Sequence, residues 1–399
     1  MLLESNFVED ERVKKECIVL SDNGFEVHVL FPKFKNQVES KDRFEYPFVN
    51  MHSFEVEKSI FNKMLASCLA LPFYFYFWKK KAISLIPTIK NFSCVYVHDL
   101  PLSKVGLIIK NKYNVKLICD QHEFYSDWIV RTKHMKSFAG KIILLFSNWK
   151  KYECEMLLKS DLNITVTDKL LEKYLSATSI NKEKIVTLPN TPMKEYYKNP
   201  ELIDPNIEKL FKSNKSTRAI YVGANFSFER GLNLMIDAIP EIVKSFPNFK
   251  FMLLGKIHSS YDIKSHIEKN KVEQYVEIIG MVPNNLIPSY LACSSIGVNL
   301  HVPNSLEAHN SISTKIYQYI ASNLLIVSSE CKLMAELVRE NKIGSVFEYT
   351  SKDLAKTIIQ ILESDSFLKE CIANTQNVKN VFWENTSQEW IEKVKKVLN

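Results

Sequence analysis

Short apolar runs recur along this chain, each followed by a stretch whose hydrophobic residues fall at helical spacing. Ala219–Val222 is one such run, ending at Gly223. After a loop, Arg230-Gly231 opens a stretch that places Leu232, Met235, Ile236 and Ile239 on one helical face. Leu324–Val327 is another run. It follows a short helical pattern that stops near Asn323 and starts from the polar turn Asn310, Ser311, Ser313 and Thr314. Strand patterns alternating with amphipathic helices predict an α/β protein whose parallel sheets are covered on both faces. A length of 399 residues suits two domains of ordinary size.

Two of these segments carry candidate chemistry. Strand, Gly223, a loop containing Asn225, and a helix opening at Arg230-Gly231 is the phosphate-binding arrangement of doubly wound sheets. No G-x-G-x-x-G and no G-K-[ST] is present, which excludes the usual dinucleotide and P-loop readings. In the second segment, Ser and Thr at a helix start leave backbone N–H groups for an anion. Lys315 lies in that first turn, where a cation opposes the helix dipole unless a phosphate sits beside it. Gln318 follows at i+3 and shares its face. The alternative is an ordinary capped helix with a surface lysine.

Taken together, the segments resemble the C-terminal half of retaining nucleotide-sugar glycosyltransferases of the GT-B fold, family four. Arg230-Gly231 matches the family's basic residue followed by Gly, and Gln318-Tyr319-Ile320-Ala321 its Glu-x-Met-Ala helix. Phe251–Gly255 and Val276–Gly280 resemble its next strands, and Pro288–Ala292 the helix beside the donor site. In the N-terminal half, Asp10–Val13, Gly24–Leu30, Val95–Pro101, Leu117–Glu123, Asn163–Thr167 and Ile185–Asn190 resemble its elements in order.

The resemblance implies two Rossmann-like doubly wound domains facing each other across a cleft. Their expected extents are 1–192 for the acceptor side and 217–375 for donor binding, with 376–399 a helix crossing back. Residues 193–216, with prolines and mixed charge, read as a linker. The family's first strand and its following glycines are reduced here to Met1-Leu2-Leu3; either the strand is stunted or the start lies upstream.

The resemblance also implies site roles. Arg230 and Lys315 would absorb the charge of a leaving diphosphate, helped by backbone near Ser313 and Thr314. Gln318 stands where a glutamate accepts from the ribose hydroxyls, and Asn310 at the family's first acidic position, with Glu307 as its alternative. Gly223, Asn225 and Ser311 complete the donor side. His122 resembles the family histidine near the transferred sugar, as a neutral imidazole that donates or steers the acceptor. Its alternative is a structural histidine bonded to backbone. His98, Asp99 and Glu123 join it on the acceptor side, and for His98 and Asp99 helix capping is an equal alternative.

Composition adds limits. The eight cysteines show neither C-x-x-C nor Cys/His clustering, which predicts reduced thiols and no metal site. The acidic N-terminus lacks a signal-peptide core, so a cytoplasmic location is expected. The net charge of +7 forms no long basic stripe, which excludes nucleic acid as a partner. Residues 61–85 are strongly apolar, but Pro72 interrupts them and the uncharged run Met64–Trp78 is shorter than the ~20 residues of a membrane span. Aromatic residues beside Lys79-Lys80-Lys81 fit an interfacial helix on anionic lipid at the inner face of the plasma membrane; a buried helix with a basic end is the alternative.

The expected function is transfer of a hexose from a UDP- or GDP-sugar to a glycan or lipid-linked acceptor in bacterial surface polysaccharide synthesis. No cofactor or metal is expected, the nucleotide sugar being a substrate. The amides at 310 and 318 motivate the other reading, a non-catalytic GT-B scaffold acting in binding or assembly.

Overall fold

The computed structural model describes residues 1–35, 44–130, 135, 137–145, 148–199, 203–212, 216–227, 230–259, 261–303 and 311–398. The chain divides into two compact units, Met1–Pro189 with Ser387–Asn399, and Asn190–Thr386. The expected linker 193–216 is therefore part of the second unit. It forms helices Lys194–Lys198 and Pro205–Lys212, and Ile207 and Phe211 are buried in the second unit's core. Arg218 Nη1 donates to the Phe211 carbonyl at 2.7 Å, fixing that helix to the first strand of the unit.

The tail divides as well. Trp383–Thr386 stays with the second unit, where the Trp383 N–H donates to the Pro192 carbonyl at 2.9 Å. Only the helix Gln388–Leu398 belongs to the first unit. It buries Trp390, Ile391 and Val394, and Lys393 Nζ donates to the Ile185 carbonyl at 2.9 Å.

In the first unit β1 (Val27–Phe34) pairs in parallel with β2 (Val49–Val56). The strands β3 (Cys94–His98), β4 (Lys116–Gln121), β5 (Leu162–Thr165) and β6 (Ile185–Thr187) form a second parallel set. Leu2 joins the two sets, bridging Leu30 on one side and Val97 on the other. Its N–H donates to the Tyr96 carbonyl at 2.8 Å, and its carbonyl accepts from the His98 N–H at 3.1 Å. The residues Met1-Leu2-Leu3 thus stand in the central position of a doubly wound order, as a bridge and not a full strand.

The second unit holds β7 (Thr217–Phe226), β8 (Phe249–Ile257), β9 (Val276–Gly280), β10 (Ile296–Asn299), β11 (Leu325–Ser329) and β12 (Gly344–Phe347). All pair in parallel, in the order β12-β11-β10-β7-β8-β9. The apolar runs read from sequence are these strands, and Leu232, Met235, Ile236 and Ile239 are buried on helix Leu232–Ser245. The order reverses between β7 and β10. Crossovers part there, and the C-terminal strand ends open to a ligand.

Tyr319 locks the helix Thr314–Ala321 beneath that reversal. Its ring lies where a side chain on Gly297 would be, 2.3 Å from that imagined Cβ. Its hydroxyl is 3.3 Å from the Ile220 carbonyl and 3.2 Å from the Val298 carbonyl, and accepts from the Val222 N–H at 3.2 Å. One phenol therefore serves β7 and β10 together in a fully buried place. Tyr319→Phe is expected to cost about 1–3 kcal/mol by stranding buried backbone groups, read as a lower urea midpoint for the second unit.

The segment 61–85 forms two helices, Lys58–Ala66 and Phe73–Leu85, separated at Pro72. Tyr74, Phe75, Trp78 and Ala82 are buried, as the buried-helix reading requires. Phe73 and Tyr76 on the same helix are 64% and 68% exposed, next to exposed Lys79 and Lys80. Among the described residues no helix is long and apolar enough to cross a membrane. All eight cysteines are free thiols.

Candidate functional site

The reversal point of each sheet gathers the polar residues of that unit. In the second unit β7 itself carries Gly223, and the segment after the strand leads to Arg230 and Gly231. The sheet register slips between Val222 and Asn225, so the strand bulges at Gly223 just before the loop. The Asn225 side chain, Glu307 and Asn310 lie outside the described residues. Gly231 adopts φ +71°, and a Cβ there would sit 2.1 Å from the Leu300 carbonyl. Only glycine lets the Arg230 loop close onto the end of β10.

Lys315 is buried in the first turn of helix Thr314–Ala321. Its Nζ donates to Tyr221 Oη at 2.8 Å and lies 3.4 Å from His301 Nε2. The ammonium is also 4.0 Å from the Tyr221 ring centre. Burial, then Lys315 and Arg230, push the His301 pKa down to about 2, so the imidazole is neutral and Nε2 accepts. Arg230 acts electrostatically on both His301 and Tyr221, which places it with Lys315. Ser313 caps the helix by backbone geometry, with no side-chain cap bond, and Ser311 and Thr314 lie half-buried beside it. Gln318 is half-buried and hydrogen-bonds to Tyr197. Sequence reasoning missed Tyr221, His301 and Tyr197, because nothing local links residues so far apart in the chain.

In the first unit Asp120, at the end of β4, is fully buried. Arg12 grips it through Nε at 2.9 Å and Nη2 at 3.0 Å, and donates from Nη1 to the Leu188 carbonyl at 2.9 Å. His122 Nε2 is 3.0 Å from Asp120, and His122 Nδ1 is 3.1 Å from Asp99. Burial opposes protonation of His122, but the two carboxylates overcome it and hold the pKa well above the usual histidine value. His122 is therefore an imidazolium with both nitrogens engaged, not the neutral imidazole read from sequence.

Asp99 sits at φ +66°, ψ 150°, a region that side chains rarely occupy. It makes no side-chain cap bond; its carboxylate goes to His122, so the capping alternative does not hold. His98 is wholly buried, 3.4 Å from Asp120 and 3.9 Å from Glu16. Neither helix capping nor acceptor contact describes it. Glu123 is half-buried, and its carbonyl accepts from Tyr174 Oη at 3.0 Å.

His98, Asp120 and His122 could offer three metal-ligand atoms. The Arg12 fork on Asp120 opposes a cation there, and the contacts suit a buried ion-pair network better. A cavity of about 410 Å³ lies at the other end of the sheet, lined by Met1, Val27, His28 and Cys94, away from these groups.

Residues 203–378 match the family model described as glycosyl transferases group 1. The matched stretch lies wholly within the second unit. Alpha-monoglucosyldiacylglycerol synthase of Acholeplasma laidlawii is 21% identical over 291 residues, covering 71% of this chain and 69% of the relative. Chitobiosyldiphosphodolichol beta-mannosyltransferase of Candida albicans is 22% identical over 314 residues, 74% of this chain and 64% of the relative. The chain thus spans about two thirds of these curated relatives. Sucrose-phosphate synthase of Thermosynechococcus elongatus aligns with TM-score 0.71 at 13% identity, over 97% of this chain and 92% of that one. Anabaena HepE in complex with UDP aligns with TM-score 0.67 at 14% identity, over 99% of each chain. The GT-B fold read from sequence is the fold these solved structures share with this chain.

The charge network makes stability depend on pH. Glu16 is pushed up to about 7 by burial and by Asp120, so it favours folding least once pH passes that value. His122, raised above its ordinary 6.5, stabilises fully below 6.5 and loses that contribution as pH climbs through its folded pKa. The contribution of Glu16 and His122 to stability is expected to fall from pH 5 upward, and His122→Gln to flatten the pH profile above about pH 7 relative to the parent chain. Urea unfolding across that range measures it.

Proposed function

We propose that this glycosyltransferase moves a hexose from a UDP- or GDP-sugar to a glycan or lipid-linked acceptor, with retention and without a metal ion. The reading places it on the cytoplasmic face of a bacterial plasma membrane, in surface polysaccharide synthesis. One observation carries it: Arg230 and Lys315, two cations, gather at the reversal point of the second sheet. Breaking a sugar–diphosphate bond leaves negative charge on the departing diphosphate. Preorganised cations there stabilise that charge as it develops. Arg230 can hold two phosphate oxygens at once, and Lys315 supplies a point charge.

The relatives favour the donor and acceptor classes. HepE was solved with UDP, and of the relatives above one is a synthase of a monoglucosyldiacylglycerol and the other a chitobiosyldiphosphodolichol mannosyltransferase. The helix Phe73–Leu85 supplies a surface for lipid, with Phe73 and Tyr76 exposed beside Lys79 and Lys80. Aromatic side chains at a headgroup boundary, next to lysines facing anionic lipid, are a suitable contact.

Arg230→Ala is expected to lower transfer from a nucleotide sugar on the order of 100-fold or more, assayed by release of UDP or GDP with a glycolipid acceptor. Full activity in that variant would remove the site assignment; tight nucleotide binding without any transfer would favour the scaffold reading. Phe73→Ser with Tyr76→Ser is expected to weaken sedimentation with phosphatidylglycerol vesicles while leaving the melting temperature unchanged. Undiminished vesicle binding would remove the membrane contact.

A further inference from the structure

We infer that Tyr221 and His301 are positioning residues that hold the Lys315 ammonium in place for a nucleoside diphosphate. This rests on the donor-site reading above. Lys315 is only 7% exposed, so its long side chain cannot wander, yet its charge must be met inside the unit. Tyr221 Oη accepts from Nζ at 2.8 Å, and the ring's π face lies 4.0 Å from the same atom. His301 Nε2 takes a second direction at 3.4 Å.

Both partners are anchored independently of the lysine. Tyr221 lies in β7 and packs edge-on against Phe226 at 5.7 Å between ring centres. The His301 carbonyl accepts from Ser329 Oγ at 2.6 Å and from Cys331 Sγ at 3.4 Å, which ties the end of β10 to β11. The ammonium is thus cradled by one residue after β10 and one within β7, the two strands that flank the reversal point.

The choice of partners has a consequence. A carboxylate in either position would neutralise the ammonium and compete with phosphate. A phenol and a neutral imidazole orient the charge without cancelling it. His301 stays neutral beside two cations, so its lone pair remains available to Lys315.

The test is calorimetric titration of the full chain with UDP and with GDP. Tyr221→Phe and His301→Ala are each expected to weaken binding about 10-fold, a hydrogen bond to a charged group being lost. His301→Gln, which keeps a neutral acceptor, is expected to bind within about threefold of the parent. In a Lys315→Ala background neither Tyr221→Phe nor His301→Ala should weaken binding further, because there is no ammonium left to position. Undiminished binding by the two single variants, or equal losses with and without Lys315, overturns the inference. Failure of the parent chain to bind either nucleotide overturns the donor-site reading itself, so the two failures are distinguishable.

Discussion

Both sheets are parallel throughout, and that single constraint governs where ligand chemistry can be placed. A parallel sheet must carry its crossovers on its faces, so helices bury both of them and only the strand ends remain open. The order β12-β11-β10-β7-β8-β9 reverses between β7 and β10, and adjacent crossovers leave in opposite directions there. Arg230 follows β7, His301 follows β10, and Lys315 lies on the helix that Tyr319 fixes beneath both strands. Gly231 is needed for the same reason, since the Arg230 loop must touch the backbone at Leu300.

The two units treat charge in opposite ways at their strand ends. In the first, Asp120 collects Arg12 and His122, and His122 in turn collects Asp99. These are closed pairs, costly to bury singly and tolerable only because each charge is answered. The strained backbone of Asp99 is held within that network. In the second unit, Tyr221 and His301 bond to Lys315 without neutralising it. The first arrangement sets cations against carboxylates, whereas in the second a phenol and an imidazole meet the ammonium.

How much of this is legible from sequence depends on the distance between interacting residues. The strands and the apolar face of helix Leu232–Ser245 are local patterns, and they stand where their periodicity places them. Arg230-Gly231 is legible for the same reason. Tyr221 and His301 belong to the Lys315 cradle through contacts across 94 and 14 positions, which no local spacing encodes. His122 was misread because its protonation depends on Asp99 and Asp120 converging on one ring. Residues 193–216 read as a linker because prolines and charge mark loops, but amphipathic Pro205–Lys212 buries Ile207 and Phe211 in the same core as Ile220 and Val222 of β7. The segment 61–85 offered two readings because both faces of one helix were present in it. Trp78 belongs to the core and Tyr76 to the surface.

The amide at Gln318 has a physical sense once its neighbours are known. A carboxylate three residues after Lys315 would share its helix face and draw the ammonium into an ion pair. That pull would oppose Tyr221 and His301, which hold Nζ toward the ends of β7 and β10. Gln318 bonds instead to Tyr197, a neutral pair contributed by the segment that looked like a linker. The amide preserves an acceptor on that face and adds no charge to it. Position 318 then places no charged competitor beside Tyr221 and His301, and the departure from a carboxylate there becomes part of how the second unit orients Lys315.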